Sequence, residues 1–430
     1  MTDTLLSRHL RGEIETALAS ARVVNVVGPR QAGKTTLVRD LLGGGRYISL
    51  DDESVLAAIE RDPYGQLAAL AAEAGDQPVI IDEAQRSRNM ALAMKRLVDE
   101  RRRPGQFLLT GSSNVFTAAH VADSLAGRVL TLTLLPLSAA EIHRAGPTLL
   151  LDWACRAPTL AGLPAMPAAT RDSCIDLVVR GGYPETRGLD ARRRQAIHRA
   201  TIDTIVDRDV ADVMKIRKSD SLRRLIDQLA ARTAGEINVQ ELCSVIGIQR
   251  PTIEQYLDIL SRLSLVVRLG TWASGEVGRE TRHPKIHFLD TGIVAALRNL
   301  AAPSNFTADA NPTALGGLLE SWVHGELVKA LPYQRDAWHL YHWRDRRGHE
   351  VDILADCGRD LVAIEVKAST TVNDHDLRNL RWFLSGDGPG RNRNATGIIV
   401  YLGNRPLGLG ERIFALPMSM FWATGWKTAS

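Results

Sequence analysis

The chain reads as an α/β protein: a parallel sheet built around a phosphate-binding loop, then helical segments, then a second α/β domain. Three observations predict this. A Gly-x-x-x-x-Gly-Lys-Thr loop at 28–35 stands between the apolar run Val23–Val27 and a helical run, Thr36–Leu42. Four more β runs, Arg46–Leu50, Pro78–Ile81, Gln106–Leu109 and Arg128–Leu135, are mostly separated by helical stretches, as parallel strands covered on both faces are. Toward the C-terminus, Glu350–Leu354 and Leu361–Lys367 are strand-like runs that carry acids among apolar residues.

At 430 residues the chain exceeds one core and should divide into several domains. With 45% hydrophobic and 24% charged residues it is ordinary globular material. The net charge of +4 permits nucleic-acid binding without arguing for it. Cys155, Cys174, Cys243 and Cys357 are scattered, which suggests neither a disulfide framework nor a zinc site and fits a reducing cytoplasm. Asp3, Arg8, Arg11 and Glu13 leave no room for a signal peptide's apolar stretch, and no apolar window is long enough for a membrane span.

The loop, Gly28-Pro29-Arg30-Gln31-Ala32-Gly33-Lys34-Thr35, has the strand-before, helix-after context of a working phosphate cradle. Gly28 and Gly33 let backbone N–H groups turn in around the phosphates, and the helix start adds its positive dipole end. Lys34 is expected to reach the β/γ-phosphates of ATP and the Thr35 hydroxyl to ligate Mg²⁺, with Thr36 next on the helix. Val79-Ile80-Ile81-Asp82-Glu83 ends a buried strand in two acids. Asp82 is expected to hold Mg²⁺ through water and Glu83 to polarise the attacking water. Leu108-Leu109-Thr110-Gly111-Ser112 ends the next strand, where Ser112 or Thr110 would bridge that water and the γ-phosphate. Arg128, at the lip of the fifth strand, would face a neighbouring subunit's nucleotide in a homo-oligomer such as a ring.

These residues resemble those of the AAA-type P-loop ATPases. More narrowly, Gly28–Thr36, Ile81-Asp82-Glu83-Ala84-Gln85, Leu109–Ser113 and Leu125-Ala126-Gly127-Arg128 resemble a prokaryotic family that pairs such an ATPase with a C-terminal domain of long-unassigned function. The resemblance covers about the first third of the chain and implies nucleotide roles for Lys34, Thr35, Asp82, Glu83 and Arg128. Gly181-Gly182-Tyr183-Pro184 looks like that family's lid motif.

The core is expected over residues 1–150, a helical lid over 151–215, a third domain over 216–300 and the tail over 301–430. Residues 146–169 read as a loop into the lid, and Arg192-Arg193-Arg194 as a solvated face. Helical patterns at Ser221–Arg232, Val239–Val245 and Pro251–Leu263, with a hairpin of Leu265–Leu269 and Lys285–Phe288, resemble a winged helix. If it meets DNA, the third helix enters the major groove with Gln249, Arg250, Thr252 and Gln255 near its leading end. Winged helices also serve as protein-contact modules.

After a linker at 302–314, the order is a helix with Glu320, a strand, a strand with Asp352, a strand with Glu365 and Lys367, a helix and a strand. Glu365 and Lys367 are two apart and share a face. Asp352 and Glu365 would hold a divalent cation while Lys367 orients a water that attacks a phosphodiester. The alternative is a buried ion-pair cluster that cuts nothing. The pattern looks like the restriction-endonuclease-like nuclease core, whose helix acid Glu320 matches. His339, His342 and His349 have no metal-ligand spacing. Together these readings describe a cytoplasmic, Mg²⁺-dependent ATPase that moves a winged-helix and nuclease-like tail on DNA. The rival is a nucleotide-gated regulatory switch that binds a protein partner.

Overall fold

The computed structural model describes residues 5–87, 89–111, 127–156, 158–210, 219–273, 283–307 and 310–426. Apart from Arg262–Ser264, the chain divides at Pro136/Leu137 into two compact units.

The first unit opens with helix α1 (Leu10–Ser20) and strand β1 (Val23–Val27), followed by helix α2 (Lys34–Thr36), which runs on as a π-helical turn through Leu37–Leu41. Then come β2 (Arg46–Ser49), α3 (Glu53–Arg61), α4 (Pro63–Ala74), β3 (Val79–Asp82), α5 (Met90–Arg101), β4 (Phe107–Gly111) and β5 (Val129–Thr133). The sheet order is β2-β3-β4-β1-β5, and every pairing is parallel. Val23, Val24 and Val26 are all fully buried because both faces are covered. One face packs Ile59, Leu67, Met94 and Phe107, the other Ile14, Leu37, Val38 and Leu108. All strands point the same way, so the C-terminal ends of β1, β3 and β4 gather at one edge.

The second unit begins with α6 (Ala139–Ile142), α7 (Leu150–Cys155), α8 (Arg171–Arg180) and α9 (Ala191–Thr204). Next are α10 (Ser219–Ala231), α11 (Val239–Ile246), α12 (Arg250–Arg262), the antiparallel hairpin β6 (Val266–Leu269) and β7 (Lys285–Phe288), and α13 (Thr291–Leu297). Asn238 caps α11 and Gly247 ends it at φ 80°, so the chain turns directly into α12. The expected linker is shorter than the reading of 302–314, because α14 (Pro312–Ala330) starts at Pro312, whose fixed φ suits a first helical position.

Strands β8 (His339–Arg344), β9 (Glu350–Asp356) and β10 (Asp360–Lys367), helix α15 (Asp374–Leu384), and strands β11 (Asn394–Tyr401), β12 (Leu407–Gly408) and β13 (Ile413–Pro417) complete the chain. They form a mixed sheet in the order β12-β13-β11-β10-β9-β8. Helix α15 buries Leu377, Leu380 and Phe383 against Trp343, Leu361 and Ile399. The hairpin and the tail sheet interlock. The Trp272 N–H donates to the His342 carbonyl at 2.7 Å, the His342 N–H donates to the Gly270 carbonyl at 2.9 Å, and Trp272 Nε1 donates to Asp356 at 2.8 Å. Lid, three-helix and tail segments therefore share one compact unit.

One charge reading is corrected. Of the three arginines on α9, Arg192 and Arg193 are exposed, but Arg194 is buried and donates to the Ala301 carbonyl at 2.9 Å. Of the three histidines, His342 is buried against Thr271 Oγ1 at 3.1 Å, and His349 bonds Asp345 and stacks on Trp382.

Candidate nucleotide and acid sites

The phosphate loop leaves the C-terminal end of β1. Gly28 has φ 151°, and a Cβ there would stand 2.0 Å from the Leu134 carbonyl oxygen, so no side chain fits. Gly33 takes φ 93° at the start of α2, a left-handed turn that delivers Lys34 and Thr35 into the first helical turn. Lys34 is buried, and its ammonium donates to the Gly28 carbonyl at 3.0 Å and the Pro29 carbonyl at 2.9 Å.

Asp82, the last residue of β3, is the hub of the site. Its Oδ2 accepts from Thr35 Oγ1 at 2.8 Å and from the Tyr47 hydroxyl at 3.0 Å, and its Oδ1 accepts from Thr110. Burial and then the Asp82 charge push the Tyr47 phenol up to about 12, so it remains a donor at neutral pH. Thr110, the alternative to Ser112, thus positions Asp82. Ser112 lies outside the described residues. Glu83 follows in a left-handed conformation, φ 54° and ψ 40°, with Gln85 donating to its carboxylate. A hydroxyl and a carboxylate side by side form a hard-oxygen donor set that fits Mg²⁺.

Arg128 stands elsewhere. Its residue precedes β5 at the N-terminal edge, with its carbonyl accepting from the Val23 N–H at 3.1 Å. The phosphate loop leaves the opposite edge, about 16 Å away at ~3.3 Å per strand residue. The Arg128 guanidinium makes a two-point contact with Asp99 at 2.6 and 2.8 Å, which holds the Asp99 carboxyl below its usual range.

The tail acids do converge, but around a residue that sequence reasoning missed. Lys285, the first residue of β7, is 3% exposed, and its ammonium lies 2.8 Å from Glu320, 2.8 Å from Glu350 and 3.5 Å from Asp352. Burial opposes its charge, yet these three acids hold the ammonium above its usual value. Asp352 Oδ2 also accepts from the Val366 N–H at 2.9 Å, and Lys367 bonds Glu365 at 2.9 Å. Burial and then Asp352 push Glu365 up to about 8, against the pull of Lys367. Among the described residues no group of three or more His, Cys, Asp or Glu stands ready to hold a metal. Of the expected set, Glu320 and Asp352 face the Lys285 ammonium, and Glu365 is paired with Lys367. A lone lysine opening an apolar strand carried no signal, since its partners lie 35 or more residues away.

Gly181 and Gly182 of the lid-like motif clasp Asp290. A Cβ on Gly181 would stand 2.2 Å from Asp290 Oδ1, and the Gly182 N–H donates to Oδ2 at 2.6 Å while Oδ1 caps α13.

Known proteins bear on these sites. Residues 20–143 match a family model described as an AAA domain. Residues 171–304 and 315–421 match two domains of unknown function, DUF8612 and DUF4143. An uncharacterized protein of Mycobacterium tuberculosis is 28% identical over 97% of this chain and 85% of its own length. One of Methanocaldococcus jannaschii is 24% identical over 62% of this chain and 60% of its own. Among solved structures, a Walker-type ATPase of Pyrococcus abyssi is 14% identical with a TM-score of 0.43, over 69% of this chain and 97% of that one. The replication initiator DnaA, bound to AMPPCP and single-stranded DNA, is 14% identical with a TM-score of 0.28, over 61% and 90%. Residues 20–143, which hold the phosphate loop and Asp82, are thus similar to an AAA domain. Among the described residues no helix is long and apolar enough to cross a membrane.

Proposed function

We propose that the chain is a Mg²⁺-dependent ATPase whose nucleotide state governs a DNA-contacting C-terminal unit with a nuclease-like acid site. The observation that carries this reading is the 2.8 Å bond from Thr35 to Asp82 at the sheet edge where the Lys34 loop opens. Lys34 exchanges its two loop carbonyls for the β/γ-phosphates. Thr35 and Asp82 would hold Mg²⁺, which when bound neutralises phosphate charge. Tyr47 and Thr110 keep the Asp82 carboxylate in place. Glu83, once released by Gln85, orients and polarises the attacking water. In a homo-oligomer Arg128 leaves Asp99 to meet a neighbouring copy's nucleotide. Gln249, just before α12, and Arg250 and Gln255 on it are exposed and Thr252 is half-exposed, as a groove-reading helix needs.

The Lys285 ammonium among the acids favours a second reading, a nucleotide-gated switch that binds a protein partner and cuts nothing. Turnover and binding assays test the ATPase role. Glu83→Gln should keep ATP binding and lose about a hundredfold in turnover, and Lys34→Ala should lose binding itself. Equal turnover in Glu83→Gln and the parent refutes the role of Glu83. Metal-dependent cleavage of labelled DNA, absent in Asp352→Ala, separates the nuclease reading from the switch.

A further inference from the structure

We propose that Lys285 is the resident counter-ion of a divalent-cation site, and that a metal ion loads the site by displacing its ammonium. The proposal rests on the reading of the tail acids as a cation site, and deepens it by naming what holds the site closed.

An ammonium has three N–H donors. Those of Lys285 face three carboxylates, Glu320 on α14 and Glu350 and Asp352 on β9, at 2.8, 2.8 and 3.5 Å. The Glu320 contact is a hydrogen bond and the other two are ion pairs. Glu365 stands beside them: β9 and β10 pair Ile353 with Ile364, so Asp352 and Glu365 come next in line and share a face. The Glu365 carboxylate is 3% exposed. Lys367 serves one of its oxygens, and the other, Oε1, is buried with no hydrogen-bond partner. A buried carboxylate oxygen left unserved is costly.

Charge counting points the same way. With all four acids ionised, as a bound divalent ion requires, Glu320, Glu350, Asp352 and Glu365 contribute four negative charges against two positive ones from Lys285 and Lys367, an excess of two that without metal is relieved by burial raising Glu320 and Glu365. Replacing the single charge of Lys285 by a divalent ion halves that excess. A hard divalent cation also takes six or more oxygen ligands and so can serve Glu365 Oε1 along with the three acids that the ammonium now holds. Lys285 opens β7, half of the hairpin that follows α12. Expelling its ammonium therefore connects metal loading to the segment read as DNA-contacting.

The test is Mn²⁺ binding to the full, nucleotide-free chain in a Lys34→Ala background, read by electron paramagnetic resonance of free Mn²⁺. The parent should bind one ion weakly in the tail. Lys285→Met should bind it at least about tenfold more tightly, the scale on which groups around a metal alter affinity. Adding Glu365→Gln should abolish the gain. If Lys285→Met fails to fold without metal, the double variant Lys285→Met/Glu320→Gln removes one charge of each sign and should fold and still bind more tightly than the parent. A folded variant lacking Lys285 that binds Mn²⁺ no better than the parent overturns the proposal. DNA cleavage by a parent of that kind would leave the nuclease reading standing while this one falls. Tight Mn²⁺ binding by Lys285→Met without cleavage in any variant would do the reverse.

Discussion

Replacing His324 by phenylalanine should make the protein more resistant to acid than the parent. His324 on α14 is 1% exposed, and its ring stacks on His287 of β7 with centroids 4.3 Å apart. His287 is bonded to Ser321 Oγ at 3.1 Å. Burial holds the His324 imidazole neutral down to about 3, far below its ordinary 6.5, and burial with the neighbouring His324 and Lys285 lowers His287 well below its usual value. A base whose folded pKa is depressed leaves stability intact above 6.5, and stability falls as pH drops below 6.5, because only the unfolded chain takes up the proton. At pH 5 the deficit is 1.5 pH units at about 1.4 kcal/mol each, or about 2 kcal/mol for His324 alone. Glu320 and Glu365 nearby act in the opposite sense. Burial raises both, so their folded forms hold protons that the unfolded chain releases, and falling pH stabilises the fold through them. The total pH profile mixes these signs, and the difference between variant and parent isolates His324. Urea unfolding of both proteins at pH 7 and pH 5 should show that difference moving by about 2 kcal/mol toward the variant. A difference that stays constant between the two pH values refutes the assignment of a buried neutral imidazole.

Two further outcomes follow from the backbone geometry. Gly28→Ala must push its Cβ off the Leu134 carbonyl oxygen, 2.0 Å away, and should cost the N-terminal core about 2–4 kcal/mol, with ATP binding lost in a filter assay; tight binding in that variant would show the loop is not held as described. Asp290→Ala strips the acceptor from the Gly182, Gly292 and Ile293 N–H groups and should lower stability by about 2–4 kcal/mol while leaving ATP affinity unchanged; a parallel loss of ATP affinity would mean the Gly181-Gly182 motif acts on nucleotide and is not only a clasp.

What the sequence determined alone is what depends on neighbours along the chain. The phosphate loop is one continuous segment, so its glycines, Lys34 and Thr35 carry their own geometry, and the apolar runs at Val23–Val27, Val79–Ile81 and Phe107–Leu109 announce strands buried on both faces. Acids closing such a strand must lie at its C-terminal edge, which is why Asp82 was legible before any fold was known. Tertiary structure decided what depends on residues far apart. That Tyr47 and Thr110 share Asp82 follows from β2 and β4 flanking β3, an order that no local pattern encodes. The aim of Arg128 toward Asp99 follows from the end of the strand it precedes. The acid cluster shows the division within a single site: alternation along β10 put Glu365 and Lys367 on one face, but the ammonium that balances Glu320, Glu350 and Asp352 comes from a hairpin 35 residues before the nearest of them. Gathering four largely desolvated carboxylates calls for cations among them, and only the packed chain shows that Lys285 joins Lys367 in that role.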